Sequence, residues 1–207
     1  MHSLLSHIHG SDQHSHAEAA PQTTGKVIHW AKYYDLLVNV MGLGQAGRLR
    51  RKTIDLASIR PGASILDVGC GTGDLTRLAR ERTGPTGEVY GIDASPEMIA
   101  VARRKAARKH SNVDFRVGLI EQLAFADETF DVALSSLMIH HLPVDLRQRG
   151  LQELRRVVKP GGRLVIVDFK QEGNLNELAA LVKTAGFDRV ETGDVHFLNL
   201  GFVSASK

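Results

Sequence analysis

From Arg60-Pro61-Gly62 to about Ala185 the chain alternates short apolar runs with amphipathic stretches, and this alternation excludes most folds. The runs Ser64–Val68, Glu88–Ile92, Val113–Val117, Asp131–Ser135 and Arg163–Asp168 are five or six residues long. Their length and composition suit strands covered on both faces, and strands separated by helices are joined by crossovers that leave them parallel. An α/β fold with a mostly parallel sheet and helices on both faces is predicted.

The stretches between the runs supply the helices. After Asp93, Ser95 is placed to cap a helix, Pro96 suits its first turn and Glu97 its positive end. Arg103, Arg104, Lys105, Arg108 and Lys109 crowd its negative end. A second helix is expected from about Asp145 to Val158, stopped by Pro160-Gly161-Gly162, and a third from about Leu175 to Ala185. Helices are expected in the remaining gaps as well. Arg189–Thr192 and His196–Ala205 read as two more strands around a hairpin turn at Gly193-Asp194, an antiparallel closure of the sheet.

Ahead of this region, residues 1–24 are polar and carry His2, His7, His9, His14 and His16. Without an apolar period they are expected to form a flexible tail, and imidazoles with no ordering core make a loose chelator rather than a formed metal site. Residues 25–60 read as a helical lid of two helices. Trp30, Tyr33, Tyr34, Leu37 and Val38 recur at helical steps, Gly42 and Gly44 interrupt, and Leu49, Thr53, Leu56 and Ala57 resume. Residues 61–207 form the main domain.

Composition narrows the function. Lys plus Arg is 26 against 23 for Asp plus Glu, a formal charge of +3, too small to imply a nucleic-acid footprint by itself. The one cysteine, Cys70, excludes an intrachain disulfide and a multi-thiolate metal site, and a reducing cytosol is its natural setting. No run reaches the ~18 apolar residues of a membrane span. Leu4, Leu5 and Ile8 are too broken up to form a signal-peptide core. A cytoplasmic protein is expected.

The chemistry is concentrated after the first strand, in Asp67-Val68-Gly69-Cys70-Gly71-Thr72-Gly73-Asp74, which leads into a helix over Leu75–Glu81. Glycines let a backbone turn sharply and approach a ligand, and such loops sit at the carboxyl edge of open α/β sheets. The dinucleotide spacing G-x-G-x-x-G is not met, because Asp74 stands where the third glycine belongs. No Lys-Ser or Lys-Thr follows to make a phosphate cradle. Asp93 ends the second strand 20 residues beyond Gly73, where an acidic side chain accepts both ribose hydroxyls. A nucleoside without phosphates fits, and S-adenosylmethionine (SAM) is one. Singly, each feature also has a plainer reading: Asp67 and Asp93 as caps, and the glycines as a tight turn.

Three segments taken together resemble the class I SAM-dependent methyltransferases: Ile65-Leu66-Asp67-Val68-Gly69-Cys70-Gly71-Thr72-Gly73-Asp74-Leu75-Thr76, Gly91-Ile92-Asp93-Ala94-Ser95-Pro96-Glu97-Met98, and Leu154-Arg155-Arg156-Val157-Val158-Lys159-Pro160-Gly161-Gly162. The likeness covers about residues 26–207 and is strongest to the ubiquinone/menaquinone-biosynthesis C-methyltransferases, whose N-terminal segments are similar to Tyr33-Tyr34-Asp35.

The resemblance implies a seven-stranded sheet of order 3-2-1-4-5-7-6 with strand 7 antiparallel. It implies that Asp67, Gly69, Gly71 and Gly73 surround the methionine end of SAM, Asp93 the ribose, and Ala94 and Met98 the adenine face. Ser135 would offer its carbonyl to the SAM amino group, and Tyr34 would fold over the methionine end. Gly118-Leu119-Ile120-Glu121 stands where relatives read G-D-A-E, which brings Ile120 and Glu121 to the adenine. Leu119 departs from that pattern and cannot bond the adenine amino group.

Methyl transfer from a sulfonium is an in-line displacement whose rate comes largely from alignment and exclusion of water. A base is needed only where the acceptor must lose a proton, and His140 or His141, just beyond the fourth strand, is placed to be one. The alternative is that this pair only packs the start of a helix. The N-P-P-Y type motif for planar amines is absent near Ser135, and no second cysteine exists for cytosine C5 chemistry or an arsenite site.

A small, lipophilic acceptor, quinone-like or phospholipid-like, is expected, with S-adenosyl-L-homocysteine as co-product. The N-terminal helices would cover it, and with Arg48, Arg50, Arg51 and Lys52 they could rest on the anionic inner face of a membrane. The alternatives are a methyltransferase acting on RNA or protein, and a SAM-binding member without turnover. No nucleic-acid module is visible, and nothing in the sequence sets the oligomeric state.

Overall fold

In the computed structural model, residues 45–170, 174–196 and 199–207 are described. The first lead-in helix, with Trp30, Tyr33 and Tyr34, and the tail at 1–24 lie outside them. The described elements are α1 (Ala46–Ala57), β1 (Ser64–Val68), α2 (Asp74–Thr83), β2 (Glu88–Asp93), α3 (Pro96–Arg108), β3 (Asp114–Val117) and β4 (Phe130–Ser136). A 3₁₀ turn (Ile139–His141), α4 (Val144–Val157), β5 (Val158–Phe169), α5 (Asn174–Thr184), β6 (Asp188–Asp194) and β7 (Leu200–Ser206) follow. The sheet order is β3-β2-β1-β4-β5-β7-β6, with β7 antiparallel to both β5 and β6 and the other pairs parallel.

The period of two along each strand sorts side chains between the faces. In β1, Ile65 packs with Leu49 and Ile54 of α1 and with Leu75 and Ala79 of α2. Its neighbour Leu66 points the other way, into the cluster holding Leu151 and Leu154 of α4 and Leu178 and Val182 of α5. Ile65, Leu66, Leu151, Leu154 and Val182 are each 0% exposed, so both faces of the sheet are dry. Burying one such side chain contributes about 1.5–3 kcal/mol relative to leaving it in water. α3 begins as its residues dictate: the Ser95 hydroxyl accepts the Met98 amide hydrogen at 3.2 Å, and Pro96 opens the first turn.

Three expectations are corrected. The terminal hairpin does not turn at Gly193-Asp194: both lie in β6, with Gly193 opposite Phe202. A Cβ on Gly193 would stand 2.4 Å from Cε1 of Phe202, so this glycine makes room for an aromatic neighbour rather than a turn. Second, β5 starts at Val158, paired with Phe130, so Pro160-Gly161-Gly162 forms an irregular beginning to the strand instead of a stop before it.

Third, no helix fills 118–129 between β3 and β4. Arg156 of α4 holds this stretch instead, its guanidinium donating to the carbonyls of Leu123 at 2.9 Å and Phe125 at 2.8 Å and pairing with Asp127 at 2.7 Å. Glu153 accepts the Leu123 amide hydrogen at 2.8 Å. Phe125 sits edge-on to Phe130 and Tyr90, ring centroids 4.9 and 5.4 Å away. Backbone groups that a helix would have paired internally are thus met by side chains of α4.

Candidate active site

The described chemistry-bearing segments meet at the carboxyl ends of β1, β2, β3, β4 and β5. Leaving β1, the chain takes positive φ at Gly69 (71°), Gly71 (52°) and Gly73 (80°). Two of these glycines are also required by close neighbours: a Cβ on Gly69 would lie 2.3 Å from Cγ of Met138, and one on Gly73 2.5 Å from Cζ of Phe115. The loop is pinned to β2. The Gly69 and Cys70 amides both donate to the Ile92 carbonyl at 2.9 Å. The Gly71 amide donates to one oxygen of Asp93 at 2.9 Å, and the Ser95 amide to the other at 2.9 Å. A carboxylate has about four acceptor positions, so Asp93 keeps capacity for a ligand's hydroxyls.

Asp67 is 1% exposed and takes a hydrogen bond from the Thr76 hydroxyl at 2.7 Å. Burial pushes its pKa up to about 7, and the negative charge of Asp93 adds to the rise, while the bonds from Thr76 oppose it. Burial also raises the Asp93 carboxyl, against the two amide donors. The Cys70 thiol is raised too, first by burial and then by the two carboxylates, which keeps it in its unreactive neutral form. Among the described residues neither Asp67 nor Asp93 forms an ion pair. A buried carboxyl and a half-buried one, neither beside a cation, suit a ligand that carries positive charge and hydroxyls.

The other end of the loop has the opposite polarity. Asp74 lies 3.3 Å from Arg50, 3.6 Å from Arg77 and 3.0 Å from Lys105, and Lys105 also donates to the Thr72 hydroxyl at 2.9 Å. Three cations around one carboxylate leave a surplus of positive charge. Arg50 lines the same cavity as Asp67, Gly69, Gly71, Asp74 and Leu137. Asp74 therefore gathers cations rather than presenting a bare negative charge. The sequence reading placed Arg50 in a surface basic cluster and missed it as a site residue. The signal was there in α1, where buried Leu49, Thr53 and Ile54 define a face whose edge carries Arg50. Arg48, Arg51 and Lys52 are exposed.

At the expected adenine end, Met98 is 2% exposed and Ala94 half-buried at the start of α3. The Ile120 side chain is turned into the core against α4, where a Cβ on Gly150 would lie 2.8 Å from its Cγ1. Its backbone is what remains for the sheet edge. Glu121 is half-buried beside it, and the Leu119 carbonyl accepts the Gln122 amide hydrogen at 3.3 Å in a tight turn. Ser135 pairs with Val68 across β4 and β1, and its buried hydroxyl has no hydrogen-bond partner among the described residues. Tyr34 lies outside the described residues.

His140 and His141 form the 3₁₀ turn after β4, their ring centroids 3.9 Å apart. Nδ1 of His140 is 2.6 Å from Oδ1 of Asp168 at the end of β5. In the sequence Asp168 is only the end of a strand, with nothing to link it to His140.

A buried carboxyl, Asp67, at one end of the loop, surplus cations at the other and an acceptor-rich Asp93 between β2 and α3 match the parts of SAM: an amino acid, a sulfonium and a ribose. Residues 65–162 match the family model described as a methyltransferase domain. The chain is 38% identical over 146 residues to the "Ubiquinone/menaquinone biosynthesis C-methyltransferase UbiE" of Ectopseudomonas mendocina, covering 70% of this chain and 56% of that protein. It is 36% identical over 140 residues to the protein of the same name from Hydrogenovibrio crunogenus, covering 67% and 54%. The chain thus spans little more than half the length of these curated relatives. A solved SAM-dependent methyltransferase from Aquifex aeolicus is similar with a TM-score of 0.69 and 26% identity, covering 81% of this chain and 96% of that one. The [4+2]-cyclase SpnF has the same fold, with a TM-score of 0.70 at 20% identity, covering 89% and 99%. Glycine loop, sheet order and relatives agree: residues 65–162 are a methyltransferase domain, and the chain has the fold of the SAM-dependent methyltransferases.

Proposed function

We propose that this protein moves the SAM methyl group to a ring carbon of a small, lipophilic quinol. The observation that carries the cofactor half is the pinning of the glycine loop by Asp93 beside the buried carboxyl of Asp67. In this reading Asp93 holds the ribose, and Gly69, Gly71 and Gly73 bring the backbone against the methionine end. Ser135 and Asp67 face the amino group, Arg50 the carboxylate, and Ala94, Met98, Ile120 and Glu121 the adenine. When bound, SAM supplies a methyl group on a sulfonium that departs as neutral S-adenosylhomocysteine. The protein's task is alignment and exclusion of water, for which two dry sheet faces and a pinned loop provide a rigid base.

The acceptor half is supported by the name of the relatives, C-methyltransferases of ubiquinone and menaquinone biosynthesis. The aromatic and aliphatic residues between Trp30 and Met41 in the sequence suit the cover of an apolar acceptor. No helix among the described residues is long and apolar enough to cross a membrane. Exposed Arg48, Arg51 and Lys52 support peripheral contact with anionic lipid as the route to such an acceptor. Flotation with anionic and neutral vesicles at low salt tests that contact.

The primary test is calorimetric titration with SAM and S-adenosylhomocysteine, followed by mass spectrometry of a dithionite-reduced, short-chain 2-prenyl-1,4-naphthoquinol incubated with protein and SAM. Micromolar binding that is lost in Asp93→Ala, with one methyl group added to the quinol, is the expected result. No binding of either ligand by the unaltered protein overturns the reading. A second reading, cofactor binding without turnover, draws on Leu119 in place of an adenine-bonding aspartate and predicts binding with no methylated product from any acceptor.

A further inference from the structure

Asp168 is 2% exposed and receives three hydrogen bonds, two of them from one residue. Its Oδ2 accepts the His140 amide hydrogen at 3.0 Å, and its Oδ1 accepts the Phe169 amide hydrogen at 2.9 Å and faces Nδ1 of His140 at 2.6 Å. A carboxylate only accepts, so Nδ1 carries the proton and the lone pair of the neutral ring is on Nε2. The Phe169 ring stands edge-on to His140 at 5.0 Å, and the His141 ring lies at 3.9 Å. Backbone, carboxylate and two rings thus fix the imidazole in one orientation, while its side chain is still 24% exposed.

The register places this pair relative to the cofactor loop. Val68 of β1 is level with Ser135 of β4, and Ser136 with Val167 of β5, so Asp168 stands two strands from the glycine loop on the same edge. At about 4.8 Å per strand the two lie about 10 Å apart, which leaves room for a reacting ring between them.

We propose that His140, oriented by Asp168, is the general base of the reaction, and that the acceptor is accordingly one that loses a proton on methylation, the quinol class. This rests on the reading of the site as that of a quinol C-methyltransferase. Nε2 takes the proton of a ring hydroxyl. The released electron pair moves through the ring to form the carbon–methyl bond as the bond from methyl to sulfur breaks, its pair staying on sulfur. The methylated ring carbon then gives its proton to water, which restores aromaticity, the imidazolium returns its proton to the ring oxygen, and one proton is released overall. Asp168 is a positioning residue: it sets the tautomer and stabilises the imidazolium that forms.

The test uses the whole chain with SAM and the reduced 2-prenyl-1,4-naphthoquinol. Nitrogen-15 NMR of the S-adenosylhomocysteine complex is expected to show the Nδ1-protonated form of His140. His140→Gln is expected to lower kcat about 10²–10⁴-fold with the SAM Kd unchanged. The acidic limb of the kcat/KM profile, set by Nε2, is expected to vanish in that variant. Asp168→Asn is expected to lose the tautomer and most of kcat, and Asp168→Glu to recover part of it. Among the described residues, the titratable groups against the His140 ring are Asp168 and His141. A His140→Gln enzyme that turns over at the wild-type rate, a wild-type protein that binds SAM and leaves the quinol unmethylated, or a His140 protonated at Nε2 overturns the proposal. Failure of the wild-type protein to bind SAM overturns instead the methyltransferase reading beneath it.

Discussion

Asp93 accepts the Gly71 amide hydrogen at 2.9 Å, so the residue proposed to hold the ribose also sets the conformation of the loop beside the methionine end. One carboxylate therefore couples the two halves of the cofactor site. Asp93→Asn retains one acceptor and is expected to weaken SAM binding by about ten- to a hundredfold, from about 1.5–3 kcal/mol of charge-assisted bonding. Asp93→Ala, which also frees the Gly71 and Ser95 amides, should weaken it further and lower the melting temperature. Calorimetry and thermal melts of the two variants check both statements.

Asp67 predicts opposite pH trends for stability and for binding. Its folded pKa of about 7 lies above the ordinary 3.8, so the folded state holds an extra proton between those values. The stability this contributes is complete below about pH 4 and is lost as pH rises through about 7. The ligand-free protein should therefore melt lower at pH 8 than at pH 6. A cationic ligand favours the ionised carboxyl, so SAM affinity should rise over that same interval, with one proton released on binding. Melting curves and calorimetry in buffers of differing ionisation enthalpy measure both trends, and Asp67→Asn should flatten them.

Arg50 should matter to the ligand far more than to the fold. Its bridge to Asp74 is partly exposed, 23% and 24% for the two side chains, and such pairs contribute little stability. Arg50→Ala is expected to leave the melting temperature within a few degrees of wild type and to weaken SAM binding about tenfold, the loss of one charge-assisted contact. Arg48→Ala, on the exposed side of α1, should leave the affinity unchanged.

Gly69→Ala combines two faults, a φ of 71° and a Cβ 2.3 Å from Met138. The left-handed conformation alone costs about 1–2 kcal/mol for an L residue, and the contact adds to it. A double-mutant cycle with Met138→Ala separates the two: the second change should recover the contact part and leave the backbone part.

What the chain's residues disclose locally, the structure repeats. The apolar runs become strands, Ser95 caps α3, and the glycine loop follows β1. What they do not disclose are relations between distant positions. Gly193 has the look of a turn, but its reason is Phe202 on the neighbouring strand. The 118–129 segment has apolar residues enough for a helix, yet its backbone is satisfied by Arg156, some thirty positions on. Arg50 and Asp74 lie 24 positions apart and His140 and Asp168 28 apart, and only the crossovers bring each pair together.

The grip of Arg156 on 118–129 has a consequence for nucleoside selection. The wall expected to face the adenine is built from Ile120 and Glu121, and that wall is fastened by a guanidinium rooted on α4 to the carbonyls of Leu123 and Phe125. Its shape is thus set from behind. A change at Arg156 is expected to alter the nucleobase fit without any change in the residues proposed to meet the base, and a search confined to the cofactor's immediate surroundings would pass over it.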